Sequence, residues 1–153
     1  VSKISYSLAI ADGDLVQKGS RLDVVYGIDK LKQDINCWIQ ERYGSDRFHV
    51  NMGSTLQEFI GSIANETARV EVQAEIFRVL QNYQATQLRR FKENPEKMSA
   101  SELLVSIDDI SVKLSYDTVW VTLRLRNGSN ESTTIKIANG QTGFANPTYR
   151  PRQ

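Results

Sequence analysis

Apolar positions alternate with small or polar ones at the start of the chain. Ile4, Tyr6, Leu8 and Ile10 are separated by Ser5, Ser7 and Ala9. A period of two predicts a strand with one buried face. Asp12-Gly13-Asp14 ends it as a turn, and the further oxygen ligands of a calcium loop are missing from this stretch. A short extended piece over 21–26 closes at Gly27. From there the spacing changes to three and four: Ile28, Leu31, Ile35, Trp38 and Ile39 recur between charged and amide residues. That pattern predicts an amphipathic helix over 28–43, about four turns long, stopped by Tyr43-Gly44. A loop follows over 45–53. Ser54, with Gln57 three residues on, reads as a capping box opening a second helix whose stripe is Leu56, Phe59 and Ile60.

The next helix is long, from Asn65 to Glu93, and Pro95 ends it. At about 100° per residue, Val70, Phe77, Leu80, Leu88 and Phe91 fall on one side, and Val72, Ile76, Val79 and Tyr83 on an adjacent one. Together they cover roughly 220°, against the ~100° stripe of a helix buried on one side only. The helix is about 40 Å long at 1.5 Å per residue, more than the rest of the chain can cover. Part of this surface is therefore expected to meet another chain, through Val72, Ile76, Val79 and Tyr83 or through Leu80, Leu88 and Phe91.

The last third returns to a period of two. Ile110, Val112, Leu114 and Tyr116 alternate with polar residues, as do Val119, Val121, Leu123 and Leu125. Asn127-Gly128 signals a hairpin. A three-residue loop over 127–129 puts Val121 opposite Ile135 and Val119 opposite Ile137, all on one face; a two-residue loop would bury the wrong set. Three strands are too few to close a barrel, so one edge is expected to stay open to strand addition. The fold class expected is α+β: a small mixed sheet with a C-terminal hairpin, packed against two or three helices, one of them long. Residues 1–137 form the domain and residues 138–153 an extended arm with Gly140, Gly143, Pro147 and Pro151.

Composition narrows the function. The 153 residues fit one domain. Lys and Arg number 19 against 18 Asp and Glu, which gives no electrostatic reason to expect nucleic acid or a membrane surface. The basic run at Arg89, Arg90 and Lys92 is followed by Glu93 and Glu96 and reads as a solvated helix end. Cys37 is the one cysteine, so no internal disulfide forms, and a reducing cytoplasm is the expected place of folding.

Chemistry is sparse. His49 is the one histidine, which leaves a zinc site or a Cys–His nucleophile without partners. No phosphate loop, dinucleotide fingerprint or nucleophile elbow is present. Glu41, Asp46 and Glu58 surround the central loop and are the three candidates for the two carboxylates a glycosidase needs. No cofactor and no metal are expected.

The succession of features carries a resemblance. A strand ends in Asp12-Gly13-Asp14-Leu15, and a second piece leads through Tyr26-Gly27 into a helix. The loop Glu41-Arg42-Tyr43-Gly44-Ser45-Asp46-Arg47-Phe48 then passes through Asn51-Met52-Gly53-Ser54 into Leu56-Gln57-Glu58-Phe59-Ile60. This resembles the baseplate wedge and sheath-initiator family of contractile phage tails, over residues 4–137. One departure stands out. Where family members carry Glu-Pro-Arg between the long helix and the next strand, this chain reads Asn94-Pro95-Glu96-Lys97-Met98, followed by residues 99–104. The resemblance implies a virion protein of the tail baseplate, assembled in the host cytoplasm around the tail tube. Its helices would bundle with wedge proteins, at Val72, Ile76, Val79, Leu80, Tyr83, Leu88 and Phe91. Its C-terminal sheet (Ile110, Val112, Leu114, Val119, Val121, Leu123, Ile135 and Ile137) would receive arms of the tail sheath protein. Some family members are labelled lysozymes, so the alternative is a peptidoglycan-cleaving glycosidase of the tail.

Overall fold

The computed structural model describes residues 6–11, 14–45, 47–48, 52–56, 66–115, 118–140 and 143–145. The first elements are six two-residue strands: β1 (Ser7–Leu8), β2 (Ile10–Ala11), β3 (Asp14–Leu15), β4 (Gln17–Lys18), β5 (Arg21–Leu22) and β6 (Val24–Val25). β1 pairs with β6, β2 with β3 and β4 with β5, all antiparallel. The strand expected here does form, but its faces are reversed. Tyr6, Leu8 and Ile10 are exposed, and Ala9 is the buried residue. The segment turns back every few residues, so it never lays one long side on the core. Gln33 of the following helix holds it instead, accepting the Ile10 N–H at 2.9 Å and donating to the Leu8 carbonyl at 2.8 Å.

Helix α1 spans Gly27–Gln40 and buries Leu31, Ile35, Trp38 and Ile39. It stops three residues before the expected Tyr43-Gly44 boundary, because the backbone beyond Gln40 has other partners. The Ser54 N–H donates to Glu41 O and the Tyr43 N–H to Ser54 O, around a parallel Arg42–Ser54 bridge. The Ser54 hydroxyl donates to Ile39 O, one of the carbonyls a helix end leaves free. Gly53 belongs to this junction: its φ is +104°, and a Cβ there would stand 2.7 Å from the Arg42 carbonyl carbon and oxygen. The expected second helix, with Gln57, Phe59 and Ile60, lies outside the described residues.

Helix α2 spans Glu66–Glu93, close to the expected limits. Two 3-10 turns, Pro95–Lys97 and Ala100–Glu102, lead into the sheet. Its strands are β7 (Leu104–Leu114), β8 (Thr118–Asn127), β9 (Ser132–Gly140) and β10 (Gly143–Ala145), in the order β10-β9-β8-β7. The α+β class read from the sequence holds. Among the described residues every ladder is antiparallel, and the one parallel contact is the Arg42–Ser54 bridge. The arm expected from Ala138 begins instead as strand, since Ala138 pairs with Ala145 and Gly140 with Gly143.

Residues of β8 face β9 with the expected parity but a register moved by two: Val121 is opposite Ile137 and Leu123 opposite Ile135. The turn does have three residues, but it is 128–130, closed by the Asn127 N–H donating to Glu131 O at 3.0 Å. Asn130, not Gly128, takes the left-handed conformation, at φ 63°. Gly128 is needed for another reason. A Cβ there would lie 2.6 Å from the Ala100 carbonyl oxygen, and the Gly128 N–H donates to that same oxygen at 3.0 Å.

The core lies between the helices and the inner face of the sheet. It joins Leu31, Ile35 and Ile39 of α1, Val72, Ile76, Val79 and Leu80 of α2, and Val119, Val121, Leu123, Leu125, Ile135 and Ile137 of the sheet. Trp38 meets Tyr83 edge-on, with ring centroids 5.2 Å apart.

Candidate functional site

The seven helix positions expected to meet a partner divide sharply. Val72, Ile76, Val79, Leu80 and Tyr83 are at most 4% exposed and belong to this chain's own core. That removes them as a docking surface, because sheet and α1 between them cover that side of the helix. Leu88 is 52% exposed and Phe91 half-buried. The outward stripe runs through Val70, Phe77 and Leu88, at 53, 45 and 52% exposure. Spacings of seven and eleven bring the three within about 20° on the helix wheel. Val105, also more than half exposed, lies near this stripe, since Gln84 of α2 donates to its carbonyl at 3.0 Å.

Of the eight sheet positions, Val112, Val119, Val121, Leu123, Ile135 and Ile137 are buried and Ile110 and Leu114 half-buried. They fix the inner face. What they leave for another chain is backbone. On β7 glutamines of α2 bond parts of the outer edge. Gln73 donates to Ile110 O at 3.1 Å, and Gln84 donates to Leu104 O at 3.2 Å and Val105 O at 3.0 Å. Gln87 accepts the Leu104 N–H at 2.8 Å. On β9 the outer edge is covered by β10 at 138–140. Ladder bonds of an antiparallel pair alternate along the strand. Counted from the Asn127–Glu131 closure, Ser132, Thr134 and Lys136 turn their backbone groups away from β8. Among the described residues no strand lies against that part of β9.

The junction that departs from the Glu-Pro-Arg pattern holds a buried polar cluster. Glu102 is fully buried. One of its carboxylate oxygens accepts the Ser99 N–H in a capping box, and the other lies 3.6 Å from Lys30 Nζ. Asp34 stands 3.5 Å from the same ammonium. Burial raises the Asp34 carboxyl above its ordinary range against the pull of Lys30, and burial with the neighbouring Asp34 pushes the Tyr83 phenol well up. Gln87 ties the cluster to the chain, donating to Tyr83 Oη at 2.9 Å and to Glu102 O at 2.7 Å.

For the glycosidase reading, Asp46, Glu58 and His49 lie outside the described residues. Glu41 is exposed and accepts a hydrogen bond from Ser45. Cys37 is half-buried, and burial, with Asp34 and Glu41 nearby, raises its thiol. Among the described residues no group of three or more His, Cys, Asp or Glu could hold a metal ion. No described helix is long and apolar enough to cross a membrane.

The glutamine cover of β7, the buried Glu102 and the short β10 were missed by sequence reasoning. Glutamines at 73, 84 and 87 look like ordinary solvated positions, and only their eleven- and three-residue spacing hints that they share a side.

No family model matches the sequence, and no curated protein matches it. A solved structure does: a protein of Geobacter sulfurreducens described as a "putative tail lysozyme" superposes with a TM-score of 0.54, covering 73% of this chain and 88% of that one, at 9% sequence identity. At that identity the likeness is one of fold.

Proposed function

We propose that this chain is a structural subunit of a contractile phage tail, built into the baseplate, with no catalytic activity of its own. It joins wedge proteins by laying the Val70–Phe77–Leu88 stripe of α2 into a helix bundle, and it starts the sheath by accepting a strand along β9. The observation that carries the reading is the unequal treatment of the two sheet edges. Side chains of α2 bond β7 at Leu104, Val105 and Ile110, while among the described residues no strand lies against 132–136 of β9, an edge suited to an added strand. Two further points support it. The fold is shared with a protein described as belonging to a tail, and the features from Leu8 to Gly61 resemble the sheath-initiator family.

The name of the Geobacter protein raises the other reading, cleavage of peptidoglycan. A retaining or inverting glycosidase needs two carboxylates that reach the sugar, about 5–9.5 Å apart. Among the described residues Glu102 and Asp34 come together on one lysine, and Glu102 has no exposed surface. Their arrangement suits a structural clasp.

The test is capture of the tagged full-length chain from cells producing the particle, with the bound proteins identified by mass spectrometry. Recovery of sheath and wedge proteins is expected, together with no clearing of peptidoglycan between pH 4 and 8. Peptidoglycan turnover that vanishes in Glu41→Gln, Asp46→Asn or Glu58→Gln overturns the assignment.

A further inference from the structure

The N-terminal segment repeats every seven residues. Leu8-Ala9-Ile10, Leu15-Val16-Gln17 and Leu22-Asp23-Val24 take equivalent places. Their central residues close a cycle of backbone bonds: the Ala9 N–H donates to Asp23 O at 2.9 Å, the Val16 N–H to Ala9 O at 3.0 Å, and the Asp23 N–H to Val16 O at 2.9 Å. Two short hairpins, β2–β3 and β4–β5, and the β1–β6 ladder therefore radiate from a local threefold axis.

Side-chain direction follows from this pairing. Residues two apart on a strand share a face, and so do residues directly opposite. Leu8 faces Val24, Ile10 faces Leu15 and Gln17 faces Leu22. Stepping alternately along and across the strands joins these six side chains into one closed ring. Tyr6 and Tyr26, whose ring centroids are 6.2 Å apart, extend the same face. Among the described residues no charged one lies on it. Asp14, Lys18, Arg21 and Asp23 all fall on the opposite face, where Ala9 is 7% exposed.

This is the reverse of what a lone small sheet requires, with its apolar side in water. Leu8, Ile10, Leu15 and Leu22 are 40–49% exposed, Tyr6 61% and Tyr26 36%. At about 200 Å² per large side chain they leave roughly 500 Å² uncovered, near the top of the ~300–600 Å² range for the largest patch on a monomer.

We propose that this face closes against the same face of a second copy of the chain. Two observations select that occupant. The described residues of the face carry no charge, so across them two copies meet without stripping water from an ion. Two faces of this size also reach about 1,000 Å² in total, the least that a specific interface needs. The ring suits its own image, because leucines alternate with Ile10, Gln17 and Val24. A copy turned over sets its leucines between those of the first. The inference does not rest on the tail assignment.

Sedimentation equilibrium of the full chain, from micromolar to millimolar concentration, is the test. The mass is expected to rise from 17.3 kDa towards twice that value. Leu15→Lys and Leu22→Lys, each at an exposed site, should stay monomeric with an unchanged circular dichroism spectrum. Gln17→Leu removes the one polar member of the ring and should lower the dissociation constant about tenfold, whether or not the lysine variants fold. Thr134→Pro, on the β9 edge, should dimerise like the wild type. A wild-type chain that stays at 17.3 kDa throughout overturns the proposal. So do folded lysine variants that dimerise normally, or a Gln17→Leu chain with unchanged association.

Discussion

The side-chain oxygen of Gln87 accepts the backbone N–H of Leu104 at 2.8 Å, so the first residue of β7 is fixed by the helix that precedes it. The same amide donates to Glu102 O and to Tyr83 Oη. Gln87 is 5% exposed, so no water stands ready to replace it. Gln87→Leu keeps the bulk and removes the bonds. Each buried polar group left unpaired costs about 1–3 kcal/mol, and the Leu104 N–H and Glu102 O both lose this partner. A loss of about 2–4 kcal/mol in urea unfolding is expected. Gln84→Leu, whose bonds are closer to water, should cost less than half as much.

Two carboxylates should give stability profiles of opposite slope. The Asp34 carboxyl is raised by burial, which outweighs Lys30. A raised folded value means its contribution is complete below the unfolded value, near 3.8, and is lost as pH rises through the folded one. Glu75 is opposite in sign. Burial would raise it, but Arg78 and the Thr55 N–H together hold it below the ordinary 4.5. Its contribution is present above 4.5 and lost as pH falls. Urea midpoints between pH 3 and 7 check this. Asp34→Asn should become more stable relative to wild type as pH rises, and Glu75→Gln less stable.

Much of this architecture is legible in the sequence, for identifiable reasons. The apolar spacing of α2 persists over its 28 residues, so its limits are read closely. The inner face of β7–β9 is read correctly because parity survives any even shift of register. The shift itself is not visible. Asn127 belongs to the strand and organises the turn from there, accepting the Ser129 and Glu131 N–H groups and donating to Ser101 O. That last bond reaches 26 residues back, beyond any local pattern. The N-terminal segment misleads for a different reason. Its alternation is real, but Leu8, Leu15 and Leu22 also carry a period of seven, and the cycle it builds turns the apolar side outward. For α2, periodicity shows that the helix is apolar on two sides, but not which side the sheet takes.

Gly128 tests the close approach behind the hairpin turn. Its added Cβ would stand 2.6 Å from a backbone oxygen, so Gly128→Ala must push the 100–103 turn away and weaken the Gly128 N–H bonds to Ala100 O and Leu103 O. A cost of about 1–3 kcal/mol is expected, as for other overpacked sites. At Gly44, with no atom within 4 Å of the added Cβ and a φ of +76°, Gly44→Asn should change stability by under about 1 kcal/mol, since Asn tolerates the left-handed region. Thermal or urea unfolding of the two variants separates the causes.

The stripe on α2 offers a clean division between folding and assembly. Val70, Phe77 and Leu88 are about half exposed and outside the core cluster. Val70→Thr, Phe77→Gln and Leu88→Gln together should leave stability within about 1 kcal/mol, while lowering recovery of wedge proteins on the tagged chain. By contrast, Ile76→Gln should unfold the protein, because Ile76 has no exposed surface and burying an unpaired amide costs several kcal/mol.

The two edges of the sheet should answer differently to proline. Thr134 and Lys136 direct their N–H groups away from β8, so a proline at either removes a donor that no strand among the described residues takes up. An added strand gains about 0.5–1.5 kcal/mol net from each ladder bond, and blocking alternate donors along 132–136 takes away most of that gain. Thr134→Pro with Lys136→Pro should therefore give particles with complete baseplates and no polymerised sheath, seen by electron microscopy, from a chain whose core is intact. Proline at Leu123 should prevent folding, since that residue is fully buried in the central strand with neighbours on both sides. Normal sheath on the double variant would sink the β9 edge as the receiving strand. Loss of the whole baseplate would mean instead that this edge holds a wedge protein, leaving the start of the sheath to another surface of the molecule.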